Sequence, residues 1–341
     1  MPEEDLKTYC PVCRNELHKE NEKCRFCGHI PQKLMDREQV LTAKEAIEKA
    51  NLYYYGEGGF SRNFDKALEY FIIAAEIGDS GAQFMVGLCY DNAEGVDKNQ
   101  SESFNWYQKA AEQGDEEAQF NVGTSYFEGE GVEQNYTEAF YWFFKSAEKN
   151  YPEALYMLGY CYFNGKGITK DLTQGIEYFR KGAELGNAYA QFNLGSAYFY
   201  GLGADQNYQE AIKWYLKAAE QDDPEARYML GYAYYNGEGV ELDYNKAAKY
   251  FKKLAEEGNP HAQFYLACCY YHGRGIEQNY GESLNWITKA AEQGPIDAIK
   301  KKEKVLEKQL EANASEKDKD FCFKLLLRRI VKIKRILKKI L

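Results

Sequence analysis

The chain has 341 residues, enough for two or three ordinary domains or one long array. Its net charge of −10 is uneven: residues 46–297 carry −18 and residues 321–341 carry +8, so an acidic body precedes a basic segment. The first residues, MPEEDLKTYC, lack the basic and apolar regions of a secretory signal, and no apolar run reaches the length of a bilayer span. With unpaired cysteines as well, a reducing cytoplasm is the expected compartment.

Residues 8–30 contain Cys10-x2-Cys13 and Cys24-x2-Cys27, with ten residues between the pairs. Two such pairs offer four thiolates at tetrahedral corners, the donor set of structural Zn2+; a redox dithiol is the alternative. The segment resembles a small zinc ribbon, with Gly28 after the last ligand. So short a piece builds no useful core, and metal binding of about 10–16 kcal/mol supplies the folding energy instead. Four Cys ligands leave no open position for catalysis. Arg14, Lys19, Lys23 and Arg25 are balanced by acids, so the electrostatic case for nucleic acid is weak. Residues 31–45 read as a linker or leading helix.

From residue 46 the chain repeats every 36 residues without insertion, seven times, to residue 297. Ala46, Ala82, Ala118, Ala154, Ala190, Ala226 and Ala262 begin the copies. A Gly follows five positions on in most copies (Gly87, Gly123, Gly159, Gly195, Gly231), and a Tyr eight positions on in all (Tyr54 to Tyr270). A second aromatic column runs Tyr70, Trp106, Trp142, Tyr178, Trp214, Tyr250, Trp286. A fixed period of this size signals stacked supersecondary units. Each copy reads as two helices. A G-x-G turn ends helix A. Asn or Asp (Asn63, Asn99, Asn135, Asp171, Asn207, Asp243, Asn279) caps helix B. Five of these caps precede a Glu or Gln three residues on, the capping-box pattern. Helix B ends at Gly78, Gly114, Asn150, Gly186, Asp222, Gly258 or Gly294, all tolerant of left-handed backbone. The Trp/Tyr column is expected to fill the gap against the next unit. The fold expected is therefore all-α: an α-solenoid of seven helix-turn-helix repeats, preceded by a zinc ribbon and followed by a C-terminal amphipathic helix.

The pattern A-x-x-x-L-G-x-x-Y-x-x-G-x-G-V, then A-x-x-W-x-x-x-A-A-x-x-G, resembles the Sel1-like repeat, related to tetratricopeptide arrays. Residues 154–183 match it closely, through Ala154, Leu158, Gly159, Tyr162, Gly165, Gly167, Ile168, Tyr178 and Ala183. The resemblance implies a scaffold or adaptor. Some secreted relatives carry a disulfide in each unit; the partner Cys is absent here, so that chemistry does not carry over. Cys89, Cys161 and Cys269 fill a small slot on helix A and read as core.

No catalytic constellation emerges, no small-molecule substrate is indicated, and the chain reads as a non-enzyme. Ser146-Ala-Glu-Lys149 matches S-x-x-K, but other copies hold Ala in the serine's slot. A hydrolase within the array and a nucleic-acid-associated zinc-ribbon regulator stand as the rival readings. The variable positions are the informative ones. The fourth, seventh and eleventh residues of helix A share a face, and there the candidate contacts for a peptide or protein partner are Asn121, Thr124, Tyr160, Asn193, Ser196, Tyr200, Tyr232 and Asn236. Asn would bond an extended backbone and Tyr would hold side chains.

Residues 298–312 read as a capping helix and 313–320 as a linker. In 321–341, Phe323, Leu326, Ile330, Ile333 and Leu337 lie on one helical face, with Arg328, Lys332, Arg335 and Lys339 mostly off it. Interrupted by charge, the segment cannot span a bilayer, yet suits an anionic membrane surface. Docking on a partner or on the acidic solenoid is the second reading, and peripheral attachment at the inner membrane face follows from the first.

Overall fold

The computed structural model describes residues 8–9, 16–17 and 41–293. Two short strands, β1 (Thr8–Tyr9) and β2 (Glu16–Leu17), pair antiparallel with Thr8 opposite Leu17 and Tyr9 opposite Glu16. Among the described residues fourteen helices follow. The A helices are α1 (Ala43–Tyr55), α3 (Ser80–Asn92), α5 (Glu116–Glu128), α7 (Pro152–Asn164), α9 (Ala188–Tyr200), α11 (Pro224–Asn236) and α13 (Pro260–His272). The B helices are α2 (Phe64–Ile77), α4 (Gln100–Glu112), α6 (Tyr136–Ala147), α8 (Leu172–Glu184), α10 (Tyr208–Glu220), α12 (Tyr244–Glu256) and α14 (Tyr280–Glu292). The four cysteines Cys10, Cys13, Cys24 and Cys27, residue Gly294, the capping segment 298–312 and the segment 321–341 lie outside the described residues. The chain divides into two compact units, Met1–Gly182 and Ala183–Leu341.

Within the first unit the pairs α3–α4, α5–α6 and α7–α8 each close on a glycine, Gly87, Gly123 or Gly159, with Asn51 in the equivalent place on α1. A Cβ at Gly123 would stand 2.7 Å from the Phe143 ring of α6, so only hydrogen lets α5 and α6 approach this far. Phe143 is fully buried with Ala139, Ala154, Leu158 and Cys161. The second unit repeats the arrangement, with Gly195 against Tyr215 and Gly231 against Phe251. Cys89, Cys161 and Cys269 are buried as expected. Burial pushes the Cys89 and Cys161 thiols up to about 12, which leaves them protonated and inert near neutral pH.

The turn glycines have a second duty. Gly131 has φ 75°, and a Cβ there would stand 2.2 Å from the carbonyl oxygen of Gln100 in the preceding repeat. The turn therefore seats on the first residue of the neighbouring B helix, which sets repeat spacing. Helix B ends as expected: Asn150 and Asp222 both stand at φ 62°, in the slots that Gly78, Gly114, Gly186 and Gly258 fill elsewhere.

Two expectations change. The capping box is half made. Asn99 accepts from the Glu102 N–H, but its own N–H donates to the Tyr90 carbonyl at 3.0 Å rather than to the Glu102 side chain. The same bond joins Asn135 to Tyr126, Asp171 to Tyr162, Asn207 to Tyr198, Asp243 to Tyr234 and Asn279 to Tyr270. A carbonyl orphaned at the end of helix A is thereby satisfied, and the acidic side chain has no donor left to reach. The complete capping box forms instead at α1, between Thr42 and Glu45. Second, the Trp/Tyr column faces backwards. Trp106 packs with Phe71, Ala74 and Ala75 of the preceding repeat, and Trp286 packs on the core around Phe251.

Candidate interaction surface

Helix A begins two residues before the repeated alanine, because a residue upstream of it caps the helix. Asp79, Asp115, Asn187, Asp223 and Asn259 accept from the N–H of Ala82, Ala118, Ala190, Ala226 and Ala262. This second capping column, itself periodic, was available in the sequence. The earlier start adds one more position to the surface face: Glu117, Glu153, Tyr189, Glu225 and His261.

In the first unit the face carries Met85 and Leu88 on α3, Glu117, Asn121, Thr124 and Glu128 on α5, and Glu153, Met157, Tyr160 and Asn164 on α7. Glu117, Glu128 and Asn164 are exposed, and the others are half-buried. Thr124 returns its hydroxyl to the Phe120 carbonyl at 3.1 Å. Tyr160 lies 6.0 Å from Phe127, centroid to centroid, across the repeat boundary. Partial desolvation and then the like charges of Asp115, Glu116 and Glu153 raise the Glu117 carboxyl above its ordinary value.

In the second unit Tyr200 is 57% exposed, with its hydroxyl 3.9 Å from the Met229 sulfur. Tyr232 sits between Phe199, at 6.2 Å, and Tyr265, at 5.9 Å. Asn193 donates to the Tyr189 carbonyl at 2.8 Å and Asn236 to the Tyr232 carbonyl at 3.1 Å. Each of these amides keeps its carbonyl oxygen and one N–H for a ligand. Ser196 contributes less than expected, because its Oγ accepts from Tyr215 at 3.2 Å inside the helix pair. Cys268, on the same expected column, is buried outright.

The charge on this face has one sign. The six A helices α3 to α13 contain one Lys or Arg between them, Arg227. That side chain is buried, donating to Glu257 at 2.9 Å and to the Asp222 carbonyl at 3.2 Å. Lysines sit on the B helices, where Lys109, Lys217 and Lys289 lie over the rings of Trp106, Trp214 and Trp286. The surface face of helix A thus offers carboxylates, amide oxygens, methionines and tyrosines.

Ser146 is fully buried and its hydroxyl donates to the Glu116 carbonyl at 2.8 Å, so this serine is engaged in packing. Among the described residues no cluster of His, Cys, Asp or Glu is arranged to hold a metal ion. No helix among them is long and apolar enough to cross a membrane.

A repeated glycine turn, a cap shared between paired helices and a surface on α3 to α13 without free Lys or Arg define a helical-repeat scaffold. The Sel1 repeat matches at residues 50–79, 80–115, 116–151, 152–187, 188–223, 224–259 and 260–295, and the chain belongs to the Sel1 repeat family. Proteins of this family are generally protein-interaction scaffolds. The chain is similar to a protective antigen of uropathogenic Escherichia coli with an SLR fold, at 32% identity and TM-score 0.74, covering 87% of this chain. It spans only 63% of that antigen's length. A Sel1 repeat protein from Oxalobacter formigenes is 27% identical with TM-score 0.62, over 75% of this chain and 74% of its own. No curated protein sequence matches the chain.

Proposed function

We propose that the chain is a non-enzymatic adaptor that holds a segment of a partner protein on the surface face of its A helices. One observation carries this reading. The packing positions of the A helices repeat, whereas the surface positions vary from copy to copy and, on α3 to α13, exclude free Lys and Arg. Amide oxygens and carboxylates there accept hydrogen bonds, and half-buried Met and Tyr supply apolar area. Together they suit a partner segment rich in donors and positive charge. The test is quantitative affinity purification with Tyr160→Ala/Tyr232→Ala against a control altered on helix B, Tyr141→Ala. Partners lost from the first and kept by the second support the reading; equal recovery from both sinks it.

Cys10, Cys13, Cys24 and Cys27 hold a structural Zn2+ in this reading. The β1–β2 pairing fits: Tyr9 opposite Glu16 brackets the stretch that carries Cys10 and Cys13, as a metal knuckle requires. Residues 321–341 attach the scaffold to an anionic membrane surface, a role supported by their amphipathic pattern and eight basic residues. Co-sedimentation with phosphatidylserine vesicles, comparing the full chain with one ending at Asp320, tests this. Loss of binding on truncation is expected; equal binding by both rejects it.

A further inference from the structure

An edge-to-face aromatic pair recurs beside the turn of the following repeat: Phe127 with Tyr136 at 5.1 Å, Phe199 with Tyr208 at 4.9 Å and Tyr235 with Tyr244 at 5.4 Å. At the first and third of these pairs, that turn supplies a cation. Lys166 lies over the Tyr136 ring at 4.3 Å. Arg274 lies over Tyr244 at 5.0 Å and over Tyr235 at 5.4 Å, and its guanidinium donates to the Tyr235 hydroxyl at 2.8 Å. At the middle pair the equivalent residue is Glu238. A carboxylate thus stands where the neighbouring copies place a positive charge.

The surroundings of Glu238 match a cation from outside. Partial desolvation and then the Glu238 charge raise the hydroxyl pKa of Tyr200 and Tyr232 above the ordinary value, as a carboxylate beside both rings must. Tyr200 is exposed, and Tyr208 and Tyr232 are half-buried. Among the described residues no cation lies over these three rings and none pairs with the Glu238 carboxylate. Phenol rings attract a guanidinium through their faces, and a carboxylate holds it by charge-assisted hydrogen bonds.

We propose that Tyr200, Tyr208, Tyr232 and Glu238 form a socket for one arginine side chain of the bound protein segment. The inference rests on reading the A-helix face, to which Tyr200 and Tyr232 belong, as the interaction surface. Arg274 shows within the same chain how a guanidinium sits on such an aromatic pair. Arginine is favoured over lysine, because its planar group stacks on a ring while meeting both carboxylate oxygens.

The test is titration of the full chain with N-acetyl-arginine amide, read from the ring signals of isotope-labelled tyrosine by nuclear magnetic resonance. Tyr200→Phe, Tyr208→Phe and Tyr232→Phe assign those signals. All three should shift in the parent, and N-acetyl-lysine amide should bind more weakly. Glu238→Gln should weaken binding at least about tenfold, as loss of a charge-assisted bond does. Glu238→Arg copies Arg274, so it should fill the socket from within and abolish binding, with helicity by circular dichroism matching the parent. Unmoved tyrosine signals in the parent, or parent-like binding by either Glu238 variant, overturn the proposal. Affinity purification separates the socket from the wider reading. Partners lost from Tyr160→Ala/Tyr232→Ala but kept by Glu238→Arg reject the socket and leave the face in place. Partners kept by both reject the face, and the tyrosine signals alone then decide whether the socket takes arginine.

Discussion

Gln113 donates its side-chain amide to the Oε1 of Gln83, thirty residues earlier, at 2.8 Å. Gln83 in turn donates to the Ala75 carbonyl at the end of the preceding B helix, at 3.1 Å. The pair joins three successive helices through one buried amide. Gln221 with Gln191 and Gln293 with Gln263 repeat it, while Glu257 with Arg227 replaces it by an ion pair. Leu155 and Leu185 replace it by two apolar side chains. At Gln119 the ladder breaks and leaves a polar group behind. Lys149 stands where the second glutamine belongs, and the Oε1 of buried Gln119 has no hydrogen-bond partner.

Lys149→Gln should therefore raise stability. It restores a donor to a buried acceptor, a change of about 1–2 kcal/mol. It removes an exposed ion pair to Glu116, and such pairs contribute little. Urea denaturation should show a higher midpoint at unchanged slope.

Backbone strain predicts opposite signs at two small residues. Ala93 holds φ 58°, a left-handed cap that glycine fills in the other turns, so Ala93→Gly should stabilise by about 1 kcal/mol. Gly123→Ala should destabilise by about 1–3 kcal/mol, since its Cβ meets the Phe143 ring at 2.7 Å. Thermal melts of the two variants check both.

The buried thiols predict an alkaline limit. Folding raises the Cys89 and Cys161 pKa from 9.0 to about 12 through burial. A raised pKa means the folded state keeps its proton longer. The stabilisation is complete below pH 9 and is lost as pH climbs towards 12. Denaturation between pH 9 and 11 should show stability falling, with a shallower slope for Cys161→Ala. That substitution is already present in the array, as Ala197 and Ala233. Neither thiol should react with iodoacetamide at pH 8 in the folded protein.

Metal removal is expected to act locally. The purified chain should contain one Zn2+, and Cys24→Ser should release it. Amide exchange at Tyr9 and Glu16 should then accelerate, while helices α3 to α13 keep their protection. Metal analysis with hydrogen exchange reads both effects.

The fold was legible because each structural duty recurs at a fixed interval. Gly123, Asn135 and Asn150 announce a close approach, a cap and a left-handed turn from one copy alone, and their counterparts confirm the register. What escaped depends on distance in space. The bond from Asn99 N–H to Tyr90 crosses a turn, so the Glu102 pattern suggested a local partner instead. Trp106 has the same spacing whether it faces the repeat before or after. Asn121, Thr124 and Tyr160 fall on one face of a helix that begins at the repeated alanine, whereas Glu117 and Glu153 join that face only because the helix begins two residues earlier. Ser196 has the spacing of a face position, and only the fold brings Tyr215 within hydrogen-bond distance of its Oγ.

The most direct measurement of the central claim places a photo-crosslinking amino acid, one site at a time, in living cells. Positions 160 and 232 lie on the A-helix face; positions 141 and 216 are exposed on B helices. The account predicts that light yields partner adducts at 160 and 232 and none at 141 and 216. Adducts confined to 141 and 216 would place the partner on the opposite helices and contradict it.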